Sequence, residues 1–379
     1  MHIAFLTPEY PYAHGGKSGG IGTSIKNLAI ALVKENIQVS VFVAYQAENK
    51  LFTEDGVSIH LIATKRYVFA NWYFYKRHLS HYLNKYTRDQ SIQIVEVPDW
   101  SGIGAFMSFK AAMVVRLNGS DAYFCHLANR TQKKKNFFLE KLNLSKAKAV
   151  TSVSHFTAQV TRELFDYNKP ISTIHNSINA DRFQPQNTQP VDHSILYFGT
   201  IIRKKGVLDL AMAFNFVIES LPDATLTFVG KDVIDYKTQK STLSLIKESL
   251  TDQALKNVKF IGEVDYQEIS SYVEKAAVVC LPSHAEAFPM TWLETLAMEK
   301  AFVSSNIGWA NELMIDEQTG YMVDPSNHLE MAQKLQELLC DPIKAIKFGK
   351  QGRQRVVEVF DTQVIVKQNI AFYKSVIES

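Results

Sequence analysis

Along the chain, short runs rich in β-branched and aromatic residues alternate with longer stretches whose apolar positions recur every three or four residues. The short runs in the first half are His2–Thr7, Gln38–Ala44, Val57–Ile62, Ile92–Val95, Ala112–Leu117, Ala149–Val153 and Ile171–His175. Helical stretches such as Ile21–Glu35 and His155–Phe165 lie between them. This alternation predicts parallel sheets with helices on both faces. A polar stretch from Gln184 to His193, with Pro185 and Pro190, interrupts the pattern and reads as a linker. The alternation restarts at Ser194, with strands expected at Ile195–Phe198, Thr225–Val229, Val258–Ile261, Val278–Leu281 and Phe302–Ser304. Helices are expected at Val207–Glu219, Leu243–Leu250, Tyr266–Ala276 and Met290–Met298. The reading is therefore two α/β domains, 1–188 and 189–360. A terminal helix within 361–379 follows, with apolar Val364, Ile365, Ile370, Tyr373 and Ile377 to bury, most simply on the first domain. No repeat of solenoid length is present.

Length and composition narrow the class. A chain of 379 residues suits two cores, and 46% apolar with 21% charged residues is a globular profile. No apolar run approaches the ~20 residues of a membrane-spanning helix. The stretch Met1–Thr7 lacks a basic leader and is short for a signal peptide. Cys125, Cys280 and Cys340 are scattered and form no C-x-x-C pair, which argues against a disulfide framework or a zinc site and fits a reducing cytoplasm. The net charge of +3 hides an asymmetry. Residues 1–188 carry 22 Lys and Arg against 13 Asp and Glu, and residues 189–379 carry 19 against 25. One half is basic and the other acidic, so the halves are expected to face different things.

Three segments could carry chemistry. The first βα loop holds Gly15-Gly16-Lys17-Ser18-Gly19-Gly20-Ile21-Gly22, and glycines between a strand and a helix let backbone amides approach an anion. It is neither of two familiar phosphate motifs. A P-loop would need glycine at position 11, where Pro11 stands, and a dinucleotide fingerprint would need glycine where Ile25 stands. A plain surface loop is the alternative. The second segment, Gly199-Thr200-Ile201-Ile202-Arg203-Lys204-Lys205-Gly206, sets three cations between a strand and a helix, where they suit a diphosphate or form a solvated face. The third, Pro282-Ser283-His284-Ala285-Glu286-Ala287-Phe288-Pro289-Met290-Thr291-Trp292-Leu293-Glu294, is the most informative. Pro289 suits the first turn of a helix, leaving the amides of Met290 and Thr291 to meet an anion. Its two glutamates read alone as an exposed pair.

Taken together, these segments resemble the retaining GT-B glycosyltransferases, particularly family 4, over nearly the whole chain. The likeness is strongest in the E-x7-E stretch Glu286–Glu294, running on through Gly308-Trp309-Ala310-Asn311-Glu312 and Thr319-Gly320-Tyr321. His175-Asn176-Ser177-Ile178-Asn179 looks like the segment entering the family's linker, Lys205-Gly206 like its diphosphate lysine motif, and Gly19-Gly20-Ile21-Gly22 like its glycine loop. Two departures stand out. Thr200 occupies a position that is arginine in many members, and Asn118 one that is histidine. Arg203 could replace the first charge. Asn118 can bond a hydroxyl but cannot act as a base.

The resemblance implies two Rossmann-like domains with parallel sheets facing a cleft, the first for the acceptor and the second for a nucleotide-diphosphate sugar. Lys205 and Arg203 would neutralise the leaving diphosphate, helped by the Met290 and Thr291 amides and by Gly19, Gly20 and Gly22. Glu286 would hold sugar hydroxyls and Glu294 the ribose, with Gly199, Thr200 and Phe288 beside the donor and Asn118 lining the reaction centre. Neither cofactor nor metal is expected, and the product would retain the donor's anomeric configuration. A glycan or lipid-linked acceptor in polysaccharide or envelope synthesis follows from the family. Nucleotide-sugar epimerisation, or sugar binding without turnover, remains an alternative. Two clusters in the basic half mix aromatics with cations: Lys65-Arg66-Tyr67, Phe69 and Trp72–Arg77, and Arg130, Lys133–Lys135 with Phe137-Phe138. They suit peripheral docking on an anionic membrane, an acceptor groove, or core aromatics beside a solvated face. A single nucleic-acid strand would want the same residue types, but the acidic half and the glutamate pair disfavour it. The expected location is the cytoplasm, at the inner face of the membrane if the clusters dock there.

Overall fold

Strands with both faces covered read as near-continuous apolar runs, and the first strand fits: β1 (His2–Thr7) is buried at every position, with Ile3-Ala4-Phe5-Leu6 between its two polar ends. It is central in an eight-stranded sheet with β2 (Gln38–Gln46), β3 (Lys50–Glu54), β4 (Val57–Ala63), β5 (Ile94–Pro98), β6 (Ala112–Leu117), β7 (Ala149–Ser152) and β8 (Ile171–Thr173). The order is β3-β4-β2-β1-β5-β6-β7-β8. The strand pairs are parallel except β3 on β4. The computed structural model describes residues 1–13, 15–16, 19–186 and 188–379. These divide into one unit of Met1–Ser177 with Asp361–Ser379 and another of Ile178–Phe360.

The helix Thr362–Glu378 is part of the first unit. Its Val366, Tyr373 and Val376 join Phe5, Ile25, Leu32 and Ile59 in one face of the core. Beneath it lies a buried polar network. Arg116 Nε donates to Glu96 Oε1 at 2.7 Å, the same guanidinium reaches Asn369 Oδ1 at 2.6 Å, and Tyr373 Oη donates to Glu96 Oε2 at 2.7 Å. A buried ion pair is tolerable when its remaining valences are hydrogen-bonded, and the helix supplies those partners.

The second unit contains β9 (Ser194–Phe198), β10 (Thr225–Val229), β11 (Val258–Gly262), β12 (Val278–Leu281), β13 (Ala301–Ser305) and β14 (Tyr321–Val323). They form a parallel sheet in the order β11-β10-β9-β12-β13-β14. The winding direction reverses between β9 and β12. In open α/β sheets the crevice at that reversal, beyond the strand C-termini, is where ligands bind.

Elements outside the sequence reading include β3, β14, the long helix Asn71–Gln90, and the helices Lys134–Lys146, His328–Cys340 and Pro342–Arg355. The passage between units also differs, falling at Ser177/Ile178 rather than after residue 188. The polar stretch read as a linker is bonded to the second unit. Gln186 N–H and Thr188 Oγ1 both donate to Glu274 Oε1, and Val191 N–H donates to Lys275 O. Asn187 lies outside the described residues.

Candidate functional site

Two loops flank the reversal point of the second sheet. The first leaves β9 at Gly199, whose φ is +132°, and ends at Gly206, whose φ is +70°. A Cβ on Gly206 would stand 1.9 Å from the carbonyl oxygen of Pro282, which begins the second loop. Only glycine permits that approach. His284 N–H then donates to Lys204 O at 2.8 Å, tying the loops side by side. Lys205 Nζ consequently lies 2.8 Å from Glu286 Oε1, and Ser283 Oγ donates to the same oxygen at 3.2 Å. Burial pushes the Glu286 carboxyl up, but the ammonium groups of Lys205 and Lys204 outweigh it and hold the pKa below the usual glutamate value. Glu286 is therefore an ionised, paired side chain rather than an exposed one.

Glu294 lies on the helix Met290–Ala297, with its side chain in the interior. Tyr266 Oη donates to its Oε1 at 2.6 Å, and the Arg182 guanidinium stands 5.3 Å from the Tyr266 ring centre. Burial raises the Glu294 pKa to about 7, against the opposing pull of Tyr266, Arg182 and Lys205. Glu294 thus titrates near neutrality while Glu286 stays charged. Pro289 caps this helix one position earlier than expected. Met290 is buried and Thr291 half-buried. Phe288, read as a donor-lining residue, is buried with its ring 5.5 Å from that of Phe360, so its side chain is a packing element.

Arg203, read as a substitute for the missing cation, is held by an acid of its own unit. Its Nε and Nη2 donate to both carboxylate oxygens of fully buried Asp235, at 2.8 and 3.0 Å. The hydrogen bond from Arg203 drives the Asp235 pKa strongly down. A bidentate pair of this kind fixes the orientation of the guanidinium. Thr200 is exposed and offers its carbonyl to Tyr197 Oη at 2.8 Å. One constellation escaped the sequence reading. Asp209, in the first turn of the helix Val207–Ser220, lies 2.7 Å from His284 Nε2 and 3.0 Å from His328 Nε2. Its place one helical turn beyond Lys205 was the available signal. Among the described residues no group of three His, Cys, Asp or Glu side chains could hold a metal ion.

The other sequence candidates sit in the first unit. Asn118 follows β6. Its backbone N–H donates to Asp99 Oδ1 at 3.0 Å and its side chain to Arg116 O at 3.3 Å. Asp99 Oδ2 is buried without a hydrogen-bond partner among the described residues, and burial raises the Asp99 pKa to about 7. Gly19 caps the helix Gly20–Lys34. The Gly22 amide, expected to face an anion, donates instead to Glu9 Oε1 at 2.9 Å. A carboxylate of the chain itself occupies that helix start, a stabilising position for negative charge. Lys17 and Ser18 lie outside the described residues.

The model for "Glycosyltransferase Family 4" matches residues 18–182, and that for "Glycosyl transferases group 1" matches residues 179–355. This chain belongs to the GT-B glycosyltransferases. Glycogen synthase of Mycobacterium tuberculosis is 30% identical over 205 residues, which is 54% of this chain and 48% of that protein. The match thus spans about half the length of that relative. Among solved structures, sucrose-phosphate synthase from Thermosynechococcus elongatus superposes with a TM-score of 0.81 at 20% identity, covering 100% of this chain and 99% of the other. Anabaena HepE in complex with UDP-glucose gives 0.74 at 17%, covering 99% and 100%. This GT-B chain has no described helix long and apolar enough to cross a membrane.

Proposed function

We propose that this GT-B chain transfers a sugar from a nucleoside-diphosphate sugar to an acceptor hydroxyl, with retention, in the building of a polysaccharide or glycolipid. The observation that carries the reading is the Lys205–Glu286 pair at the sheet's reversal point, with Glu294 on the adjoining helix. A uridine donor is supported by HepE, solved with UDP-glucose. Glycan synthesis is supported by the glycogen synthase relative.

In the free protein each member of the pair satisfies the other. When the donor enters, the Lys205 ammonium turns to the diphosphate and Glu286 accepts hydrogen bonds from sugar hydroxyls. The bond between the anomeric carbon and the diphosphate oxygen then breaks, and its electrons leave with the diphosphate. The acceptor oxygen forms the new bond on the same face, and its proton passes to a departing phosphate oxygen. That route asks no base of Asn118. Lys205 acts where charge develops, the kind of contact whose loss costs ~10²–10³ in rate. Glu294, carrying a proton or a hydrogen bond from Tyr266, is poised to exchange that partner for ribose hydroxyls.

The test is a thermal-shift and product screen over nucleoside diphosphates and their sugars. A matching diphosphate should raise the melting temperature by mass action. Lys205→Ala should abolish the shift and depress transfer about a hundredfold or more. An epimerised donor as the product, or undiminished transfer by Lys205→Ala, overturns the proposal.

A further inference from the structure

The aromatic and basic clusters of the first unit remain unused by the donor chemistry, and the fold gathers them on one surface. The Tyr67 amide donates to Asn71 Oδ1 at 2.7 Å, closing a turn just before the helix Asn71–Gln90. The turn holds Val68 and Phe69 outward, at 110% and 81% relative exposure. A chain of ring contacts leads away from it. Tyr67 meets Phe74 at 5.7 Å, Phe74 meets Tyr73 at 5.4 Å, and Tyr73 meets Phe106 at 5.6 Å. Phe106 also touches Trp72 at 5.5 Å and Phe138, on the helix Lys134–Lys146, at 6.2 Å. Trp72, Phe74 and Phe138 are exposed as well. Three segments distant in sequence thereby build one cluster of exposed apolar side chains, and contiguous exposed apolar patches mark interaction sites.

The surroundings carry a single sign of charge. Residues 64–88 contain six Lys and Arg and no Asp or Glu, and residues 122–139 contain four and none. Lys65, Arg66, Arg77, Lys133, Lys134 and Lys135 are exposed. Lys135 Nζ sits 4.8 Å from the Trp72 ring centre, joining the cations to the aromatics.

We propose that this surface docks on a bilayer containing anionic lipid, with Val68, Phe69 and Trp72 entering the headgroup region and the lysines and arginines meeting the phosphates. An acidic protein would supply the charge. It would not by itself favour an aliphatic and an aromatic tip held wholly in solvent, whereas an interface accepts both at shallow depth. Tryptophan, with an apolar ring and one polar N–H, prefers that level. A single nucleic-acid strand would stack on open ring faces, but Trp72 is already engaged by Lys135 and Phe106.

The experiment is co-sedimentation of the full chain with vesicles of phosphatidylcholine, with and without phosphatidylglycerol, at low and high salt and without sugar donor. Binding should require the anionic lipid and weaken with salt. Lys133→Glu with Lys134→Glu should reduce it by roughly tenfold or more. Val68→Ser with Phe69→Ser should weaken binding while leaving the salt response in place. Both pairs are exposed, so unchanged thermal unfolding should accompany the loss. Tryptophan emission should be quenched by brominated lipid, and that quenching should disappear in Trp72→Phe. Sedimentation equal on neutral and anionic vesicles, no binding to either, or binding to an acidic protein or single-stranded DNA but not to vesicles, overturns the proposal. Because nothing is turned over, this readout is independent of the donor reading.

Discussion

Three buried carboxylates carry most of what is distinctive at the residue scale. Glu286 is held ionised by Lys205, whereas burial lifts Glu294 and Asp99 to about 7. Removing Lys205 alone strands a buried charge, a change that costs up to ~3–5 kcal/mol in a fully buried pair and less here, where Lys205 is partly exposed. Lys205→Ala is therefore expected to lower the urea midpoint, and Lys205→Ala with Glu286→Gln to restore much of it without restoring transfer. Failure of the double variant to recover would show that the pair does not act as a unit. For Asp99 the folded pKa lies above the unfolded value, so the folded state holds a proton that the unfolded chain has released. Its contribution to stability accordingly falls as pH rises from ~4 to ~7 and is level above that. Asp99→Asn keeps an acceptor for the Asn118 amide and should be more stable than the native chain by an amount that grows across that window. Urea titrations at pH 5 and pH 8 giving the same difference would contradict it.

Gly206 joins the two elements that form the candidate site. With φ at +70° and Pro282 O where a side chain would begin, Gly206→Ala must push the loops apart. The strained backbone alone costs ~1–3 kcal/mol, and the larger expected effect is on transfer, which should fall at least about tenfold because a small displacement of aligned groups is expensive. Native-like activity in a folded Gly206→Ala protein would remove the loops' approach from the account. The alternation of apolar strands and amphipathic helices was legible because both sheets are parallel and covered. β3 escaped because it is a short antiparallel edge with mostly exposed positions, and β14 because it has three residues. In the helix Asn71–Gln90, buried Tyr75, Leu79 and Leu83 recur every four residues, but cations and aromatics between them masked the period. Spacing alone left Lys205 on a solvated face and Glu286 and Glu294 as an exposed pair, and the family resemblance singled them out. Neither could give Asp235 for Arg203, Tyr266 for Glu294 or Glu9 for Gly22, since those partners are set by how the loops pack.

For the molecule as a whole, the decisive fact is that the first unit is assembled from two stretches of chain. The apolar stripe of the helix Thr362–Glu378 was expected to bury on the first domain, and the Glu96–Arg116–Asn369–Tyr373 network shows what holds it there. Tyr373→Phe removes one charge-assisted bond to a buried carboxylate and should destabilise the first unit by ~1–3 kcal/mol. The change should be visible as a lowered thermal transition, with nucleotide affinity of the second unit unchanged. A Tyr373→Phe protein that melts like the native one would mean that the apolar contacts of the helix suffice.

That arrangement has a consequence for how the protein is born. Residues 1–177 precede the second unit in synthesis, yet Glu96 and Arg116 find partners in Asn369 and Tyr373, which are translated only after it. The intervening unit is one contiguous stretch and can fold as it emerges, as domains generally do. The earlier one completes its buried polar network only when the helix Thr362–Glu378 arrives.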